Sequence, residues 1–270
     1  MDVSASFQFM VDALAKERFI IAPDWRGFGL TQRSSSAPDS LGVDHYVFAD
    51  YLGDLDALVE HYLRDSVFDL LGHSMGGNVS MVYAGVRPSK IGKLINLEGF
   101  GMPSTRSAQA PGRYAKWLDE IKALKEGVVH LKAYKSASQV AERLMKNNPR
   151  IAPDKALWLA HHWARESGPD DWRLWADPAH KVTSAQLYRA DEASEIHKRI
   201  TAPVLCVTAE DDSLTKAFGQ AYTKAEFYER MKAVARIEFE QLMGTGHMLH
   251  HDQPLELAKL IERFLSHSHP

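Results

Sequence analysis

Three residue types, in one chain order, could do nucleophilic acyl transfer. Ser74 lies in Gly72-His73-Ser74-Met75-Gly76-Gly77, after the apolar run Val67-Phe68-Asp69-Leu70-Leu71 and before a helical pattern through Asn78, Val79, Met81, Val82 and Tyr83. A serine hydroxyl attacks a carbonyl only beside a base that takes its proton, and that base needs a carboxylate to orient it. His247, in the loop Gly244-Thr245-Gly246-His247, is the candidate base, ahead of His250 and His251, which lie nearer the next helix. For the carboxylate the chain offers Asp212 first and Asp211 second, both in Ala209-Glu210-Asp211-Asp212-Ser213, and Glu98 third, in Leu97-Glu98-Gly99-Phe100-Gly101. Asp212 leads because a later residue of such a loop reaches back toward the histidine, and an acid from the neighbouring strand remains open. The Met75 amide, opening a helix, is the candidate donor to a developing oxyanion.

Those residues need a scaffold of strands ending in tight turns. The runs Phe19-Ile20-Ile21-Ala22, Val67 to Leu71, Leu94-Ile95-Asn96-Leu97 and Val204-Leu205-Cys206-Val207 read as strands, with Arg236-Ile237-Glu238-Phe239-Glu240 a more amphipathic one. Continuous apolarity suits strands buried on both faces. Helical patterns fall around 44–63, 77–86, 217–233 and 254–265, and an amphipathic helix through Phe7, Met10, Val11 and Leu14 opens the chain, capped by Ser4 or Ser6. Strand alternating with helix predicts an α/β fold with a mostly parallel sheet flanked by helices. Flanking glycines at Ser74 let the strand and helix backbones approach without a Cβ clash.

The middle of the chain differs. Residues 102–190 hold 15 Lys and Arg against 9 Asp and Glu, and five of the six tryptophans: Trp117, Trp158, Trp163, Trp172 and Trp175. Helices are expected there at about 111–125, 137–146 and 154–166, with no strong strand. The expected organisation is a core of 1–101 and 191–270 carrying a helical insertion at 102–190. Across all 270 residues, 32 basic against 35 acidic side chains give no overall field for nucleic acid or anionic lipid. No stretch approaches the roughly 20 apolar residues of a spanning helix. The single Cys206 forms no internal disulfide, so a reducing cytoplasm is the expected compartment. The pairs His161-His162 and His250-His251 lack a metal-ligand spacing, so no metal or cofactor is implied. Asp24 and Arg26, in Asp24-Trp25-Arg26-Gly27-Phe28-Gly29, read as a pair bracing a tight turn rather than as substrate ligands.

Together these residues resemble the α/β-hydrolase superfamily, and within it the capped serine hydrolases: esterases, lipases and carbon–carbon bond hydrolases. The likeness runs from Ala22-Pro23-Asp24-Trp25-Arg26-Gly27-Phe28-Gly29 through the Gly72 to Gly77 elbow and the Pro203 to Asp212 segment to Gly246-His247. It implies a helical cap at 102–190 and a small-molecule substrate, most simply an ester, cleaved through an acyl-enzyme. Carbon–carbon bond hydrolysis by the same triad and a non-catalytic role are the alternatives. Ser74, where dehalogenases and epoxide hydrolases of this fold carry aspartate, argues against those two activities. Members of the superfamily begin with further strands, the third ending in a His-Gly loop that gives a second oxyanion amide. The expectation is therefore that this donor lies upstream of Met1 and that Met1 is internal to a longer chain. Oligomeric state is left open.

Overall fold

The computed structural model describes residues 2–31 and 45–267. Along the chain run α1 (Gln8–Val11), α2 (Phe48–Tyr62), β1 (Phe68–His73), α3 (Met75–Val86), β2 (Ile91–Leu97), α4 (Ala110–Lys125) and β3 (Ala133–Tyr134). Then come α5 (Ala137–Asn147), α6 (Pro153–Trp163), β4 (Ala164–Gly168), β5 (Asp171–Leu174), α7 (Ala190–His197) and β6 (Val204–Ala209). The chain closes with α8 (Ser213–Phe218), α9 (Lys224–Met231), β7 (Ile237–Leu242), α10 (Leu249–Asp252) and α11 (Pro254–Ser266). It divides into two compact units: Met1–Phe9, Arg18–Tyr51 and Arg106–Leu187 form one, and Met10–Glu17, Leu52–Thr105 and Tyr188–Pro270 the other.

The second unit is built on a parallel sheet of order β1-β2-β6-β7. Parallel neighbours require crossovers, and α3 supplies the one between β1 and β2, packing on both. The two central strands are the apolar ones: every residue of β6 is buried, as are Leu94, Ile95, Asn96 and Leu97 of β2. Val79, Met81 and Ala84 of α3 are buried too, and Leu257, Ile261 and Phe264 form the buried stripe of α11. Each such Leu, Ile or Phe stabilises the fold by about 1.5–3 kcal/mol relative to exposure. The edge strands β1 and β7 are only partly buried, and four consecutive residues of β7, Glu238, Phe239, Glu240 and Gln241, are exposed. Lys93 fastens α11 to the sheet, its Nζ donating to the carbonyls of Phe264 (2.9 Å), Leu265 (2.7 Å) and His267 (2.7 Å).

The first unit packs α5 against α6 around Val140, Leu144, Ala156, Leu159 and Ala160. It also contains a small antiparallel sheet of order β3-β5-β4, where the sequence predicts no strand. These strands are two to five residues long and present exposed Arg165, Glu166 and Arg173, so they carry no apolar alternation to read. The Gly168-Pro169 break is the hairpin turn between β4 and β5, with Asp170 at φ 54°.

Three further expectations need correction. The run at 19–22 is not a strand: no described strand pairs with it, Phe19 is 80% exposed and Ile20 42% exposed. Apolarity alone does not hold a strand whose N–H and C=O groups find no ladder. The opening helix is shorter than expected, a 3₁₀ turn at Ser4–Phe7 followed by α1, and Ser6 Oγ donates to Asp2 instead of capping. The helix expected over 217–233 is broken into α8 and α9 at Gly219, whose φ is 55°. Most of the pattern expected at 44–63 falls into α2, Phe48–Tyr62, while its first residue, 44, lies outside the described part.

Candidate active site

The carboxyl ends of neighbouring strands set out the site, all of it within the second unit. Ser74 follows β1 directly and sits at φ 53°, ψ −118°, a conformation that costs a non-glycine residue about 1–3 kcal/mol. The surroundings hold it there. Ser74 N donates to Leu97 O at 2.8 Å, tying the elbow to β2, and Asn78 N donates back to Ser74 O at 3.1 Å. A Cβ on Gly72 would stand 2.3 Å from Gly76 O, and one on Gly77 would stand 2.4 Å from Asn96 Oδ1. Only glycine permits strand and helix to come this close. Met75 then opens α3, so its amide is among the first N–H groups of a helix, which have no intrahelical acceptor.

The histidine loop follows β7. Thr245 Oγ1 donates to Leu242 O at 2.6 Å, Gly246 N to Asp252 Oδ2 at 2.8 Å, and Asp211 N to Thr245 O at 3.1 Å. So anchored, His247 places Nε2 at 3.0 Å from Ser74 Oγ and Nδ1 at 3.2 Å from Glu98 Oε2. A carboxylate accepts only, so Nδ1–H donates to Glu98 and Nε2 is left to accept from the serine hydroxyl.

The carboxylate that meets His247 is thus Glu98, and neither Asp212 nor Asp211. Glu98 follows β2 at φ 55°, its N donating to Val207 O at 3.0 Å, and its side chain is fully buried. Asn96 clamps the turn: Gly99 N donates to its Oδ1 at 3.0 Å, and its Nδ2 donates to Gly99 O at 2.9 Å. Ala209 N donates to Glu98 Oε1 at 2.7 Å and Ser213 Oγ donates to Oε2. Asp212 is occupied elsewhere, as the N-cap of α8, where Oδ1 accepts from Thr215 N at 3.0 Å. Short carboxylates at this position serve caps readily, and that competing use draws it away from the histidine. Asp211 is exposed, and its backbone N ties this loop to the histidine loop.

Two contacts at the site had no signal in the sequence. His73 Nε2 donates to His247 O at 2.7 Å, joining residues 174 positions apart, and its ring lies 4.8 Å from that of His247. Burial, then the neighbouring His247, push the His73 imidazole down to about 3, so it is neutral at ordinary pH. The competing histidines His250 and His251 are buried in α10 behind it, with rings 4.3 Å apart and that of His250 4.5 Å from His73. Burial holds His250 well below its ordinary value. Burial, with Glu98 nearby, raises the Cys206 thiol. The second unsignalled contact is that of Ser213 with Glu98.

The other singled-out residues lie in the first unit and brace it. Asp24 accepts from Ser4 N at 2.6 Å and Leu30 N at 2.9 Å, and Arg26 pairs with Asp50 at 3.1 Å. Trp163 Nε1 donates to Asp2 at 2.8 Å, Trp158 packs on Phe9, and Arg165 covers Trp175. Among the described residues, no three His, Cys, Asp or Glu side chains are grouped to hold a metal ion. No described helix is long and apolar enough to cross a membrane.

This parallel sheet with a serine elbow defines a class, and comparison bears it out: the sequence model of the alpha/beta hydrolase fold matches residues 2–254. The chain belongs to the α/β hydrolase family. It is 24% identical over 275 residues to a serine hydrolase-like protein of Danio rerio, covering 100% of this chain and 80% of that one. It is 32% identical over 124 residues to a 2-hydroxymuconate semialdehyde hydrolase of Pseudomonas sp. (strain CF600), covering 44% of this chain and 40% of that one. A hypothetical protein of Pseudomonas aeruginosa PAO1 shares the fold, with TM-score 0.81, 24% identity, and coverage of 98% of this chain and 88% of that one.

Proposed function

We propose that this chain is a serine hydrolase that cleaves an ester or related carbonyl compound through an acyl-enzyme. The observation that carries the reading is the contact series Ser74 Oγ to His247 Nε2, 3.0 Å, and His247 Nδ1 to buried Glu98, 3.2 Å. In this reading Ser74 Oγ attacks the carbonyl carbon as its proton passes to His247 Nε2, and the oxyanion forms toward the Met75 amide. The C–O bond to the leaving group then breaks, and the departing alkoxide takes the proton from His247. Water attacks the acyl-enzyme, His247 takes the water's proton and returns it to Ser74 Oγ, and a carboxylic acid leaves. Glu98 accepts from Nδ1–H, which holds the neutral imidazole in the productive tautomer, and it stabilises the imidazolium that forms.

The test is labelling by a fluorophosphonate probe and hydrolysis of a short-chain nitrophenyl ester, each with Ser74→Ala as control. Labelling and turnover lost in Ser74→Ala support the proposal, and an unlabelled, folded wild-type chain would refute it. Likeness to the 2-hydroxymuconate semialdehyde hydrolase favours a second reading, carbon–carbon bond hydrolysis by the same three residues, which product analysis distinguishes from ester cleavage.

A further inference from the structure

The Glu98 carboxylate is held at three points from three different elements. Ala209 N, at the end of β6, donates to Oε1 at 2.7 Å. His247 Nδ1 and Ser213 Oγ share Oε2. A single donor on Oε1 would let the group pivot about its terminal bond, swinging Oε2 across the histidine. A second donor on the opposite oxygen removes that freedom. The N–O distance of 3.2 Å to His247 is at the long end of the hydrogen-bond range, where the energy falls quickly with misalignment. Small rotations of this carboxylate would therefore cost the histidine its orienting partner.

We infer that Ser213 is a positioning residue of the catalytic site, its hydroxyl fixing the Glu98 carboxylate in the orientation that His247 requires. This rests on the proposed hydrolase reading. The loop after β6 thus contributes to the site with a hydroxyl rather than a carboxylate. Asp212 helps one step further out, because its capping bond to Thr215 N sets the first turn of α8, from which Ser213 projects. Asp211 N donating to Thr245 O holds that same loop against the histidine loop. A serine whose only use was capping would face the free amides of α8. Ser213 Oγ instead donates across to a carboxylate 115 positions away in sequence.

The test compares wild type, Ser213→Ala and Ser213→Thr by nitrophenyl ester kinetics, thermal melting and proton NMR of the His247 Nδ1–H. Ser213→Ala is expected to lower kcat roughly tenfold with KM nearly unchanged, because orientation rather than substrate binding is lost. Its Nδ1 proton resonance should move or broaden while Tm stays close to that of wild type. Ser213→Thr, which keeps the hydroxyl, should restore both kcat and the resonance. Wild-type kcat and an unmoved resonance in Ser213→Ala would overturn the inference. A loss that threonine does not rescue and that tracks Tm would also overturn it, marking a packing role. A wild-type chain inert to the fluorophosphonate probe, with a resonance that still responds to Ser213→Ala, would sink the hydrolase reading and leave the positioning role standing.

Discussion

Replacing His73 with glutamine should make the protein less sensitive to acid. In the folded chain the His73 ring sits among the rings of His247 and His250, with His251 behind, and its Nε2–H is spent on the His247 carbonyl. Burial first, and His247 second, bring its pKa from 6.5 to about 3. The unfolded chain has no such constraint and takes up a proton on this ring as pH falls through the ordinary value. Below that point the unfolded state binds more protons than the folded one, so stability falls with falling pH. The contribution is whole above 6.5 and drains away as pH drops toward about 3. At about pH 4.5, two units into that window, the loss has an upper bound of about 2.7 kcal/mol and is about 2 kcal/mol once partial solvent exposure of the residue is allowed for. His73→Gln keeps an N–H for the His247 carbonyl and has nothing to titrate. Urea unfolding of both chains at about pH 7 and about pH 4.5 should show their stability difference shifting by about 2 kcal/mol in favour of the variant at the lower pH. A difference that stays constant between the two conditions would refute the reasoning.

Glu98→Gln should lower kcat for ester hydrolysis roughly 10³–10⁴-fold. Asp212→Ala should leave kcat within about threefold and cost about 1 kcal/mol in urea unfolding, through the lost cap of α8. Gly77→Ala puts a Cβ 2.4 Å from Asn96 Oδ1 and 3.1 Å from Gly99 Cα, so it should destabilise by about 1–3 kcal/mol and weaken fluorophosphonate labelling. Lys93→Met removes the three carbonyl contacts at the end of α11 and should lower the unfolding free energy by about 1–2 kcal/mol with little change in kcat.

Much of the sheet was legible because its central strands are apolar on both faces. The runs ending at Leu97 and Val207 needed no tertiary information to be placed, and the Gly72 to Gly77 elbow states its own geometry through its glycines. What stayed hidden depends on competition or on distance. The hairpin of β4 and β5 is polar and exposed, so no periodicity marks it. The run at 19–22 has the composition of a strand, but composition does not report whether a partner is there. The site shows the same division. Ser74 and His247 come together as the chain order suggests, yet the choice among Asp212, Asp211 and Glu98 turned on which carboxylate a helix cap would claim, and a linear reading does not weigh that.

The placement of Glu98 also follows from the order of the strands. Ser74 leaves the end of β1, and the next strand in space is β2, whose end is bound to the elbow by Ser74 N and Leu97 O. Glu98 is the first residue beyond that bond, so Ser74 and Glu98 are set by one backbone contact. His247 arrives from beyond β7, at the far edge of the sheet, and has to pass the end of β6 to reach Ser74. The loop after β6 therefore lies beside the histidine loop, touching it through Asp211 N and touching Glu98 through Ser213 and Ala209. An acid on that loop would meet the histidine from one side and be tied to Ser74 by nothing direct. A carboxylate at the end of β2 shares the anchor of Ser74 and leaves the β6 loop free to steady it, which is the arrangement Ser213→Ala would disturb first.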